Sequence, residues 1–312
     1  MSSYQEYSDI FDKEIVQKSK GIIFSFSPLN DQYTYRPYSH GLSNDAVEKL
    51  GELMRHNLFF YSFGEDEVVD YYKQGKLLSI EQAAKYAYKS RLPHRAGIQD
   101  GLPSEVLLDL LVQLYDPTAY KLAVRTIFRQ DDNNEIKGYD LTYFSKDESG
   151  ISLWLGQAKL GEKAYCKNGI NTDLLKKYVS KYLAKQLYFV SSKRVLITED
   201  AQAILEAIDT LNIRTIDEDD DIRAKELLIL LNKLDIKIKI PCLLAYEEGS
   251  VYKDSSKLYE RIITEVEGIR DFFNNHPYTF TGFSPEIVFY VFPIQSVKRL
   301  RDEENGFYAG LC

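Results

Sequence analysis

The stretch from Ser104 to Leu160 constrains the fold more than any other part of the chain. It opens with Glu105-Val-Leu-Leu-Asp-Leu-Leu-Val-Gln-Leu-Tyr115, where apolar residues cover most of a helical circumference and Ser104 stands in place to cap it. Such a helix must be buried on more than one side. Asp116-Pro117 ends it, because proline disfavours helical backbone in the residue before it. Three strand-like runs follow, at Lys121 to Arg129, Gly138 to Phe144 and Ile151 to Leu160, separated by the polar turns Asp131 to Asn134 and Ser145 to Gly150. Turns this short join antiparallel neighbours, so the expected unit is a helix followed by a three-strand meander.

The rest of the chain extends that unit. Thr172 is placed to cap an amphipathic helix running to about Val190, and further helices are expected over roughly Glu199 to Leu211 and Ile222 to Leu234. A strand at Ile236 to Tyr246, a long helix at Ser255 to Asn274 and a strand at Glu286 to Phe292 complete a mixed α/β chain. Upstream, Ile22 to Ser27 has strand character. Asn44 to Arg55 and Ile80 to Ser90 have helical character, the second with Ser79 as its cap. The segment Pro93 to Leu102, with its proline and two glycines, is a plausible boundary. Residues 1–95 are thus expected to form an N-terminal α/β region for scaffolding or partner docking. Residues 96–312 are expected to hold the core and a C-terminal extension of helix and strand.

Composition narrows the chemistry. The three cysteines (Cys166, Cys242, Cys312) and four histidines (His40, His56, His94, His276) are scattered, with no CxxC, HExxH or HxxxH spacing, so zinc and disulfide frameworks are not indicated. Any metal would be held by carboxylates and carbonyls, which suit Mg²⁺ or Mn²⁺. No apolar run approaches the roughly 20 residues of a membrane-spanning helix. Met1 to Asp9 lacks the basic-then-apolar order of a secretion signal, so a cytoplasmic location is expected. The formal net charge of -8 argues against a general nucleic-acid coating protein, but not against a local basic cleft. Between Lys159 and Arg194 nine Lys/Arg stand against two acids, Glu162 and Asp173; between Glu199 and Asp221 nine acids stand against Arg214. The acidic run Asp217 to Asp221 fits an exposed loop feeding the dipole of the next helix.

Four residues could carry chemistry together. Side chains alternate along a strand, so Gln157 and Lys159 share one face of the third strand and Ala158 takes the other. If the second and third strands pair, Asp140 lies beside them, and a helix packed on that face would add Glu105. Phosphodiester hydrolysis needs such a set: oxygen ligands for a divalent ion and a lysine that positions water and balances charge. Each residue also has an ordinary role. Glu105 suits a helix start, Asp140 a turn, and Lys159 a strand edge.

Glu105 on a helix, Asp140 on a strand and Gln157-Ala-Lys159 on the next resemble the PD-(D/E)xK nuclease superfamily, in the form with Gln at the Glu position. More narrowly, Leu102 to Tyr115, Lys137 to Leu141 and Trp154-Leu-Gly-Gln-Ala-Lys159 resemble the HamA family, the nuclease subunit of Hachiman antiphage defence. The resemblance implies a restriction-endonuclease-like core that cuts DNA with Mg²⁺ or Mn²⁺, restrained by a helicase partner. It implies Asp140 and the Ala158 backbone carbonyl as metal ligands, Glu105 in support, and Lys159 orienting the attacking water. Gln157 departs from the commoner Glu and supplies one less negative charge. Lys177, Lys181 and Lys185 recur every four residues on the expected Thr172 to Val190 helix, either as contacts to DNA phosphates or as a solvated face. Gln157 and the acidic balance also allow a second kind of protein, an inactive adaptor that keeps the fold for docking. A nuclease acting on RNA is a third reading.

Overall fold

The computed structural model describes residues 3–76, 79–92, 101–122, 138–148, 150–192 and 199–311. The N-terminal part runs through α1 (Ser3–Phe11), a π-helical turn (Asp12–Val16), α2 (Gln17–Ser19), β1 (Ile23–Ser25), β2 (Leu29–Asn30), β3 (Thr34–His40), α3 (Ala46–Ser62), α4 (Glu65–Lys73) and α5 (Ile80–Arg91). The centre holds α6 (Leu102–Tyr115), β4 (Ala119–Lys121), β5 (Leu141–Asp147) and β6 (Gly150–Gly161). Four helices, α7 (Lys163–Lys176), α8 (Ser180–Ser192), α9 (Glu199–Arg214) and α10 (Asp220–Lys233), cross over to β7 (Ile236–Glu247). Two 3₁₀ turns and α11 (Leu258–Asn274) cross to β8 (Glu286–Ile294), and α12 (Val297–Leu300) follows.

One sheet organises all of this. Its order is β1-β3-β8-β7-β6-β5-β4, with β2 paired to β3. The expected meander is present, since β4 pairs antiparallel with β5 and β5 with β6. Gly150 makes the β5–β6 turn at φ 114°, backbone that favours glycine. Beyond β6 the pairing turns parallel, to β7, then β8, then β3. The helices between these strands are what parallel neighbours require, because the chain must return to the same end of the sheet. β7 illustrates the sequence logic: Ile236-Lys-Ile-Lys alternates at the rim, and Ile240 to Tyr246 is buried on both sides.

Two cores cover the two faces. On one, α1, α3, α5 and α6 pack against Trp154, Ala158 and Leu160 of β6 and against β7 and β8. On the other, α7 to α11 pack against Leu153 and Leu155 of β6 and the alternate residues of β7 and β8. β1 and β3 extend the same sheet, and α1, α3 and α5 share the core of α6.

Several expectations shift. α6 starts at Leu102, so Ser104 lies inside it and its hydroxyl donates to the Gly101 carbonyl (2.7 Å) instead of capping. The helix does end at Asp116. The strand expected at Lys121 to Arg129 is described only at its start, as β4, and the turn at Asp131 to Asn134 lies outside the described residues, as does most of Pro93 to Leu102. The single helix expected from Thr172 to Val190 is two, α7 and α8, broken at Lys177 to Val179; Thr172 lies inside α7. Two tyrosines hold the break against the sheet. Tyr139 donates to the Lys177 carbonyl (2.8 Å) and Tyr178 to the Leu155 carbonyl (2.6 Å).

Candidate functional site

The cluster forms where β5 meets β6 under the break between α7 and α8. Asp140 directly precedes β5. Its N–H donates to the Gly156 carbonyl (2.9 Å) and its Oδ2 accepts from the Ala158 N–H (2.8 Å), so backbone and side chain both clasp β6. A charged acceptor on a buried amide is among the stronger hydrogen bonds. It also places the carboxylate at the strand position between Gln157 and Lys159.

Gln157 is fully buried. Its Nε2 donates to the Gly156 carbonyl (2.7 Å) and its Oε1 accepts from Lys177 Nζ. Lys159 points to the same side and its ammonium donates to Asp173 Oδ2 at 2.6 Å. Burial, the largest influence on this ammonium, pulls its pKa down, but the charges of Asp140 and Asp173 outweigh it and hold the group above the ordinary lysine value. Lys159 is therefore a fixed cation. Asp173 also faces Lys177, 3.4 Å away. Asp140, Gln157 and Lys159 are thus brought together as expected, and Asp173 and Lys177 join them.

Glu105 arrives differently. The helix that carries it packs on the Trp154, Ala158 and Leu160 face of β6, whereas Gln157 and Lys159 face α7. The expected packing of that helix on the Gln157 face is corrected accordingly. The reason lies in α6 itself: its apolar residues Val106, Leu107, Leu110 and Leu111 fill the core shared with α3 and α5. There the buried Glu105 carboxylate accepts from Tyr61 Oη (2.6 Å).

The lysine stripe is also divided. Lys177 caps the end of α7 and turns into the cluster, while Lys181 and Lys185 are exposed on α8, Lys181 pairing with Asp221 (2.8 Å). A four-residue spacing makes one stripe only on one helix, and the break removes that condition.

Asp173, which pairs with Lys159 and Lys177, is the member of the cluster that sequence reasoning did not single out. Its signal was present: it is one of only two acids in the basic segment from Lys159 to Arg194. Which lysine it serves depended on how α7 lies across β6.

The Asp140 carboxylate, the Gln157 amide oxygen and the Ala158 carbonyl are oxygen donors of the kind a hard divalent ion takes, while Glu105 lies on the other face of the sheet. Among the described residues no group of three or more His, Cys, Asp or Glu is arranged to hold a metal. Two lysines offset Asp140 and Asp173, and Lys177 occupies the Gln157 oxygen. Both buried thiols, Cys166 and Cys242, are pushed above the usual range by burial, Cys166 to about 12, which favours the thiol over the thiolate.

The HamA family model matches residues 9–311, from the first helix through the last strand and beyond. The chain belongs to the HamA family. Membership marks it as a component of Hachiman defence. The HamA match takes in the cluster, the sheet and the N-terminal helices alike. No curated protein matches the sequence. Among the described residues no helix is long and apolar enough to cross a membrane.

Proposed function

We propose that this HamA-family chain is a metal-dependent nuclease that hydrolyses DNA phosphodiesters from a PD-(D/E)xK-type core. The observation that supports this reading best is the clasp of Asp140 on the Ala158 N–H, which sets a carboxylate beside Gln157 and an ion-paired Lys159. Asp140, Gln157 and the Ala158 carbonyl would hold Mg²⁺ or Mn²⁺, without Glu105, which stays with Tyr61 on the α6 side. When bound, such an ion polarises the phosphate and lowers the pKa of a coordinated water. Lys159, kept charged, orients that water and offsets the charge gathering on the phosphate. Lys181 and Lys185 would meet DNA phosphates outside the cluster, with Lys177 nearer the centre. As a Hachiman component the chain would work with a helicase that restrains it, and residues 1–95 are the proposed docking region.

One observation favours a second reading. Lys177 sits on the Gln157 oxygen, and two lysines balance two carboxylates, a neutral arrangement that stands without a metal. In that reading the chain is an adaptor that keeps the fold for docking. Titration with Mn²⁺ separates the two. An active nuclease binds the ion through Asp140 and cuts plasmid DNA in Mg²⁺ or Mn²⁺, whereas an adaptor does neither. Parallel assays on DNA and RNA of one sequence decide the polymer.

A further inference from the structure

Lys159 does not reach the cluster as a freely rotating side chain. Its stem lies across Gly169 of α7: a Cβ built there would come within 2.9 Å of Lys159 Cε, 3.1 Å of Cδ and 3.3 Å of Cγ. One helical turn further on, Asp173 takes the ammonium at 2.6 Å. Gly169 and Asp173 are four residues apart, hence on one face of α7, and that face looks onto β6. The two positions do complementary work. Glycine leaves the groove in which the aliphatic stem lies, and the acid fixes its charged end. Both carboxylate oxygens of Asp173 are engaged, Oδ2 by Lys159 and Oδ1 by Lys177, and its side chain is 14% exposed. A solvated helix-face acid would be free to sample other rotamers, and this one is not.

We infer that Gly169 and Asp173 form a slot on α7 that positions Lys159, making Asp173 a positioning residue for the proposed phosphodiester hydrolysis. The inference rests on the nuclease reading for its consequence, but the slot can be tested without cleavage. A lysine chain has four rotatable bonds, and holding it in one arrangement before substrate arrives removes an ordering cost from the reaction. Without Asp173 the ammonium still faces Asp140 but is free to swing. The loss should then fall on turnover more than on substrate binding, because Lys159 acts on the attacking water and DNA is held elsewhere.

Asp173→Asn and Gly169→Ala test this from opposite directions. The first keeps the shape and removes the charge. The second adds a methyl group into the groove, so the flexible lysine stem must move away, while alanine's higher helix propensity offsets part of the lost packing. In metal-free protein without DNA, acetylation of Lys159 by acetic anhydride, followed by peptide mass spectrometry, reports its release. The expected result is a rise of about fivefold in labelling rate in both variants, the factor that loss of an ion pair worth about 1 kcal/mol gives. Plasmid cleavage by the same variants should lose about 10- to 100-fold in kcat with KM little changed, the range seen when supporting residues around a site are removed. Unchanged Lys159 labelling in the two folded variants overturns the slot. Raised labelling with unchanged kcat overturns its role in the reaction. If wild-type protein cuts no DNA while the labelling change appears, the slot stands and the nuclease reading is what fails.

Discussion

Replacing Asp140 separates its two jobs, holding β6 and supplying a negative charge. Its Oδ2 accepts from the Ala158 N–H at 2.8 Å, and the residue is 9% exposed. In Asp140→Asn the amide oxygen can still accept that hydrogen bond, so the fold loses only the extra strength of a charged acceptor, about 1 kcal/mol. In Asp140→Ala the buried N–H has no acceptor, which costs about 1–3 kcal/mol. Unfolding entropy of about 2.1 cal/mol/K per residue makes 1 kcal/mol worth roughly 1.5 °C in a chain of 312 residues. The melting point should therefore fall by about 1–2 °C in the Asn variant and about 2–5 °C in the Ala variant. Activity should not follow this order. Both variants lack the carboxylate proposed to hold the ion, so both should lose several kcal/mol of transition-state stabilisation, at least about a thousandfold in plasmid cleavage. The assay is nicking of supercoiled plasmid in Mg²⁺ and in Mn²⁺, with thermal unfolding on the same samples. A folded Asn variant that cuts within about threefold of wild type would refute the assignment of Asp140, since removing a central metal-holding charge should cost far more than that.

Three other perturbations have defined outcomes. Gly156→Ala puts a Cβ 2.9 Å from Leu141 Cβ, 3.0 Å from Leu108 Cδ2 and 3.1 Å from Pro241 Cγ. It should destabilise by about 1–3 kcal/mol through overpacking, and thermal unfolding at the wild-type temperature would contradict it. The double variant Lys181→Ala, Lys185→Ala should weaken plasmid binding and flatten its dependence on salt, by about 0.9 in log–log slope for each phosphate no longer neutralised. Titrations from low to high salt with identical slopes would remove both lysines from the DNA surface. Glu65, buried at the start of α4, has its pKa raised to about 7, burial being the main cause. Between the unfolded value of 4.5 and about 7 the native state holds a proton that the unfolded chain has released, so stability falls as pH rises through that window. The drop amounts to about 3 kcal/mol. Glu65→Gln should abolish it, and denaturant titrations at pH 5 and pH 8 that keep the wild-type difference would show that another group is responsible.

The sequence was most legible where local pattern and tertiary role agree. Gly138 to Phe144 and Ile151 to Leu160 have the β-branched and aromatic content of strands, and β5 and β6 pair antiparallel as the short turn between them required. Ser79 caps α5 through the Gln82 N–H because that bond depends only on residues three apart. β3 was harder. Thr34-Tyr-Arg-Pro-Tyr-Ser-His has no alternation and contains a proline, yet it lies in the sheet interior. Arg36 is tolerated there because Asp116, at the end of α6, pairs with it at 2.5 Å and also accepts from Tyr290 Oη at 2.8 Å. Those partners are 80 and 254 residues away from Arg36, so no local window could have supplied them.

The candidate site divides along the same line. Gln157, Ala158 and Lys159 lie on one strand, and period-2 alternation alone puts the Gln and Lys side chains on one face. Asp140 joins them through pairing of neighbouring strands, a short-range event. These parts of the cluster were set by the sequence itself. Which helix covers that face was not, because α6 and α7 both carry apolar residues that satisfy either side of a central sheet. Packing settled it: α6 went to the core of α3 and α5 and took Glu105 with it, while α7 brought Gly169, Asp173 and Lys177 over Lys159. The stretch from Ser104 to Leu160 therefore determined the strands and their chemistry. The partners of Lys159 were decided by tertiary structure, since side-chain periodicity fixes a face but not what lies against it.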